Sequence, residues 1–83
     1  MQWIGIDVSK DALDVFARGS KVVARFDNEE AGHLLLCQWA QKQGPCRLVM
    51  EPTGGYEQAA LCVLLTAGLD VSVVNPRQVR DFA

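Results

Sequence analysis

The sequence predicts an α/β domain built on a mixed sheet, and three observations carry the prediction. Alternating apolar segments broken by turn residues open the chain. Helix start and stop signals bracket two later segments. Between those segments lies a brief continuous apolar run, the mark of a parallel strand.

Residues 3–8 form the first expected strand. Its period of two sets Trp3, Gly5 and Asp7 on one face and Ile4, Ile6 and Val8 on the other. A polar break at Ser9-Lys10-Asp11 leads into a second strand over 12–17. Arg18-Gly19-Ser20 reads as a hairpin turn, and 21–26 alternates as a third strand. Asn28 ahead of Glu29 and Glu30 is a helix start, because an Asn cap satisfies free N–H groups and acidic residues suit the positive end of the helix dipole. Ala31, Leu35 and Trp39 supply the expected apolar stripe, which places His33 at the helix surface, and Gly44-Pro45 stops the helix. Trp3 and Trp39 are assigned to the core.

Residues 47–50 make the fourth strand, expected to be buried on both faces, and it runs directly into Glu51-Pro52-Thr53-Gly54-Gly55. A second helix spans 56–67 with Ala60, Leu61, Leu64 and Leu65 inward, closed by Gly68, and a fifth strand covers 70–74. Asn75-Pro76 then opens a third helix, which reaches Ala83 after roughly two turns. Three antiparallel strands followed by parallel strands and crossover helices is the order of an RNase H-like mixed sheet.

Composition narrows the function. The 83 residues suffice for one small domain, 49% are hydrophobic and 22% charged, and the net charge is −2. A chain this short buries only about 60 to 65% of its unfolded surface and is marginally stable alone. The charge gives no global basic signature of nucleic-acid binding, although a nuclease-type site is itself acidic. No apolar run approaches the roughly 18 to 20 residues of a membrane span, and the first residues lack the basic region of a signal peptide, so a cytoplasmic protein with no membrane partner is expected. Cys37, Cys46 and Cys62 are too few and too unevenly spaced for a disulfide framework or a paired-cysteine zinc site, and are read as reduced, mostly buried small hydrophobes.

Asp7 and Glu51 carry the chemistry. Parallel pairing of the first and fourth strands would bring both to the carboxyl edge of the sheet, where α/β sheets commonly place ligands, about 4 to 8 Å apart. Two carboxylates so placed suit Mg²⁺ or Mn²⁺ and phosphodiester chemistry. The plain alternative pairs Asp7 with Lys10 and leaves Glu51 ahead of a Pro-Thr-Gly-Gly turn. Lys10 and Thr53 stand beside the carboxylates and either meet a phosphate or order the turns; Gly54 and Gly55 permit positive φ. Arg77 and Arg80 are candidates for nucleic-acid backbone contact, or plain surface charge.

Three segments, Gly5-Ile6-Asp7-Val8-Ser9-Lys10, Met50-Glu51-Pro52-Thr53-Gly54-Gly55-Tyr56 and Val74-Asn75-Pro76-Arg77-Gln78-Val79-Arg80-Asp81-Phe82-Ala83, occur in this order. Together they resemble the amino-terminal, RuvC-like domain of the insertion-sequence 110 family transposases, the DEDD transposases, which in turn resemble the pilin-gene invertases. The resemblance covers essentially the whole chain and implies that 1–83 is the amino-terminal part of an RNase H-like catalytic domain. Of the family's Asp, Glu, Asp, Asp set, the first two match Asp7 and Glu51; the last two, and a carboxyl-terminal domain with a nucleophilic serine, are expected after Ala83. Ser9, Ser20 and Ser72 do not inherit that serine's role.

The resemblance further implies insertion-element and target DNA as partners, a guide RNA, homo-oligomeric assembly, and an activity that 1–83 alone lacks. Two other readings compete. One is an ATP-binding domain of the actin and sugar-kinase type, against which Val8-Ser9 replaces the glycine such a phosphate loop needs. The other is a non-catalytic assembly module.

Overall fold

A computed structural model of the chain describes residues 2–16 and 22–74. Its elements are β1 (Gln2–Val8), β2 (Ala12–Phe16), β3 (Val22–Asp27), α1 (Glu30–Lys42), β4 (Cys46–Met50), α2 (Gln58–Thr66) and β5 (Asp70–Val73). The expected turn at Arg18-Gly19-Ser20 and the helix after Asn75-Pro76 lie outside the described residues, as do Arg77 and Arg80.

The five strands form one mixed sheet in the order β3-β2-β1-β4-β5. The first three pair antiparallel, and β4 joins β1, and β5 joins β4, in parallel. Parallel neighbours cannot be joined by a tight turn, so α1 and α2 occupy the connections into β4 and β5. Both helices pack on one face of the sheet. There Ile4, Leu13, Leu36, Leu48, Met50 and Leu64 are fully buried, and Phe26 meets Trp39 edge to face at 6.4 Å. Each such aliphatic side chain contributes about 1.5–3 kcal/mol of burial.

The opposite face is open among the described residues, and the registers sort it into rows because directly paired residues point the same way. Trp3, Arg47 and Asp70 make one row, and Phe16, Gly5, Val49 and Ser72 the next. Asp7, Asp14 and Arg25 make the third.

Several expectations are corrected by this arrangement. Trp3 is 56% exposed, not core, because it lies on the open face with the Arg47 guanidinium 5.4 Å from its ring centre. Strand β4 is buried on one face only: Cys46, Leu48 and Met50 are buried, Arg47 and Val49 half-buried. On α1 the buried stripe is Gly32, His33, Leu36, Cys37 and Ala40, whereas Ala31 and Leu35 are exposed. Trp39 is half-buried against the core. Leu65 is also exposed, since α2 begins only at Gln58 and turns its Ala60–Leu64 side inward. Cys37 and Cys46 are buried and Cys62 is exposed, all three as free thiols.

Candidate active site

The last residue pair in the β1–β4 register is Ile6 with Met50. One step further along both strands come Asp7 and Glu51. Adjacent strands lie about 4.7–4.9 Å apart, so the two residues occupy neighbouring positions at the carboxyl edge of the sheet. Ile6 and Met50 point into the core, and both carboxylate residues are exposed. The pairing of Asp7 with Lys10 is not formed: among the described residues neither Asp7 nor Glu51 joins an ion pair. Two acidic residues thus occupy neighbouring strand positions and, among the described residues, neither is neutralised by an ion pair, an arrangement that a divalent cation would suit.

A third carboxylate is near but already engaged. Asp14 pairs across the strands with Asp7, and like charges directly opposite one another are unfavourable. On its other side the Arg25 guanidinium clasps it with both Nε and Nη2, the second at 3.0 Å. That hydrogen bond holds the Asp14 carboxyl below its ordinary range and raises Arg25. Among the described residues no group of three acidic, His or Cys side chains is placed to hold a metal ion. The donor set that remains, Asp7 and Glu51, is all oxygen and fits a hard cation that keeps several of its waters, as Mg²⁺ does.

The loops that follow the two carboxylate positions are tightly determined. After β1, the Ser9 hydroxyl donates to the Ala12 carbonyl at 3.1 Å and accepts from the Ala12 N–H at 3.2 Å, which closes the turn and leaves Lys10 exposed at its tip. After β4, Gly54 and Gly55 adopt φ of 73° and 114°, a region that L side chains rarely enter. The Glu57 carboxylate then accepts the Thr53 N–H at 2.6 Å and, more weakly, the Thr53 hydroxyl at 3.5 Å. Thr53 is therefore engaged in ordering the loop.

Glu57 was not legible as a site residue, although a Thr followed four positions later by a Glu resembles a displaced capping box. Asn28 departs from its expected role. Glu29 occupies the α1 cap position with no side-chain bond, and Asn28 instead donates from Nδ2 to the Ser9 carbonyl at 2.9 Å and the Tyr56 carbonyl at 3.0 Å. Its Oδ1 meets His33 Nε2 at 2.7 Å. His33, expected at the surface, is only 4% exposed.

Two of these groups set a pH dependence. Burial lowers the His33 pKa below its ordinary 6.5, with Glu29 opposing, and the Thr53 N–H lowers Glu57 below 4.5. The unfolded chain binds the His33 proton first, so stability is whole above 6.5 and declines as the pH falls through the folded value. Glu57 adds a second decline in the same direction, starting below 4.5. His33→Gln is expected to flatten the decline of the urea midpoint that sets in below pH 6.5 while keeping the further loss that starts below 4.5. An unchanged first decline would show that His33 is not the group responsible.

The concave surface of the helical layer lies elsewhere, between α1 and α2, lined by Leu34, Cys37, Gln38, Cys62 and Val63. It is apolar and on the other side of the sheet from the open face, so it takes no part in the carboxylate site.

Fold and site together define a small α/β domain that presents paired carboxylates at the carboxyl edge of a mixed sheet. Residues 4–83 match the family model of the insertion-sequence 110 DEDD transposases, described as Transposase, and the chain belongs to that family. No curated protein matches it.

Proposed function

We propose that the chain is the RNase H-like, RuvC-like catalytic part of a transposase that performs metal-dependent phosphodiester chemistry on insertion-element DNA. The observation that carries this reading is the placement of Asp7 and Glu51 at neighbouring positions of β1 and β4, on the exposed carboxyl edge. The β3-β2-β1-β4-β5 order and its pairing directions support the RNase H-like assignment. Asp7 and Glu51 are the residues that would hold Mg²⁺ or Mn²⁺, with two further acidic residues supplied from outside 1–83. When bound, such ions supply activation of the attacking oxygen and stabilisation of the leaving one.

Lys10, exposed in the turn after β1, is proposed to meet a DNA phosphate, and Thr53 shapes the loop after β4. Arg77 and Arg80 are proposed as backbone contacts on sequence grounds alone. The nucleotide-binding alternative is disfavoured because the turn after β1 is closed by the Ser9 side chain and holds no glycine. No helix among the described residues is long and apolar enough to cross a membrane. Action in the cytoplasm, on insertion-element and target DNA, with a guide RNA and as a homo-oligomer, completes the proposal by family membership.

Binding of Mn²⁺, followed by the resonance of the free ion, tests the site. Asp7→Asn and Glu51→Gln are each expected to weaken it by more than about tenfold; unchanged binding in both would remove the metal assignment. Residues 1–83 by themselves are expected to show no Mg²⁺-dependent DNA cleavage, because two carboxylates leave most of the coordination to water. Robust cleavage by that segment would mean that the site is complete within it.

A further inference from the structure

The Asn28 side chain bridges the two loops that follow the strands bearing the proposed metal ligands. Its Nδ2 spends both hydrogens on backbone carbonyls, one of Ser9, two residues past Asp7, and one of Tyr56, five past Glu51. Its own N–H donates to the Asp11 carbonyl at 3.0 Å, which fixes where the side chain starts. Two carbonyl acceptors require a donor, so the amide orientation is determined and Oδ1 faces His33. His33 Nε2 must then carry the hydrogen. A His already buried in α1, at 4% exposure, thereby fixes an amide that no helix cap requires.

A cap or turn residue satisfies its own neighbourhood, whereas Asn28 joins segments 19 and 28 residues away. The Thr53–Glu57 contact anchors the remainder of the second loop to the start of α2. Without the bridge, the Ser9 and Tyr56 carbonyls would be tied only by their own loops, and Glu51, one residue beyond β4, would be less firmly placed relative to Asp7, which the β1–β2 pairing holds. Metal affinity depends on that placement, since ordering loose ligands opposes binding.

We propose that Asn28 and His33 are positioning residues for the Asp7 and Glu51 carboxylates: His33 orients the Asn28 amide, and that amide locks the loops after β1 and β4 into one unit. The inference rests on the metal-site reading above. It assigns neither residue a contact with metal or DNA.

The test compares Asn28→Ala, His33→Leu and His33→Gln in the full-length protein, with Mn²⁺ affinity, reaction rate at saturating Mn²⁺, and amide hydrogen exchange as readouts. Asn28→Ala removes the bridge, and His33→Leu removes its orienting donor. His33→Gln returns an N–H near the Nε2 position. Asn28→Ala and His33→Leu are expected to raise the Mn²⁺ dissociation constant by about tenfold, within the range of outer-shell effects, with the saturated rate falling less than about threefold. His33→Gln is expected to restore affinity to within about threefold of the original protein.

Residues 9–12 and 53–57 should lose exchange protection together in Asn28→Ala. Folded Asn28→Ala and His33→Leu proteins with unchanged Mn²⁺ affinity would overturn the proposal, and so would a His33→Gln protein as weak as His33→Leu. Should Asn28→Ala fail to fold, the two His33 variants decide. If Asp7→Asn and Glu51→Gln leave Mn²⁺ binding intact, the metal reading has failed by itself. Exchange then judges the loop coupling: joint loss in both segments supports it, and loss in one alone overturns it.

Discussion

Asp7→Asn and Glu51→Gln are each expected to lower transposition by the full-length protein by more than about 100-fold while leaving the fold intact. Outer-shell partners of a metal already affect function by about 10- to 100-fold, so a ligand itself should matter at least as much. Both substitutions keep the side-chain shape and remove the charge. Neither residue is buried or paired among the described residues, so the change breaks no packing and no ion pair. Surface changes of that kind usually alter stability by less than about 0.5 kcal/mol. A structural role and a chemical role therefore give opposite signatures: unaltered unfolding with lost transposition marks chemistry. Retained transposition in either variant would reject a catalytic role for that position. Asp14→Asn serves as the contrast, because Asp14 is held by Arg25; it is expected to release Arg25 beside Asp7 and perturb the site less severely than loss of Asp7 itself.

The strand sequence and the positions of Asp7 and Glu51 were readable because they rest on local signals: alternation in β1, turn residues after it, and an apolar run ending at Glu51. Gly54 and Gly55 were likewise readable, since positive φ is a property of the residue itself. The helix phase was not. Leu34-Leu35-Leu36 offers three consecutive apolar positions, and spacing from Ala31 to Trp39 selects Leu35, whereas packing selects Leu36. What turns α1 is that Gly32 and His33, neither of them strongly apolar, face inward. Asn28 and His33 escaped for a related reason. Asn before two acidic residues is a sound local cap signal, but the side chain is claimed by carbonyls far away in sequence, and no local pattern encodes that. Trp3 shows the same limit from the other side: its strand and face were correctly placed, but which face the helices cover is decided by the chain connections.

Gly32→Ala is expected to destabilise the protein by at least about 3 kcal/mol, at the upper end of overpacking effects, although helix propensity predicts the opposite sign. Gly32 sits within α1, where exchange of Gly for Ala normally gains up to about 1 kcal/mol. Here a Cβ would lie 1.8 Å from the Asp27 carbonyl oxygen, 2.7 Å from its carbon and 2.9 Å from its nitrogen. All three are backbone atoms of the last residue of β3, so no rotamer change relieves the contact. The start of α1 would have to move away from the sheet, and His33, the next residue, would move with it from its 2.7 Å contact with Asn28. The loss should therefore appear twice, in the urea midpoint and in the exchange protection of residues 9–12 and 53–57. Gly5→Ala is the control, because a Cβ there meets only the Phe16 Cβ at an ordinary 3.9 Å and should be tolerated. If Gly32→Ala unfolds at the same or a higher urea concentration than the original protein, propensity has outweighed packing, and the close approach of α1 to the end of β3 is wrong.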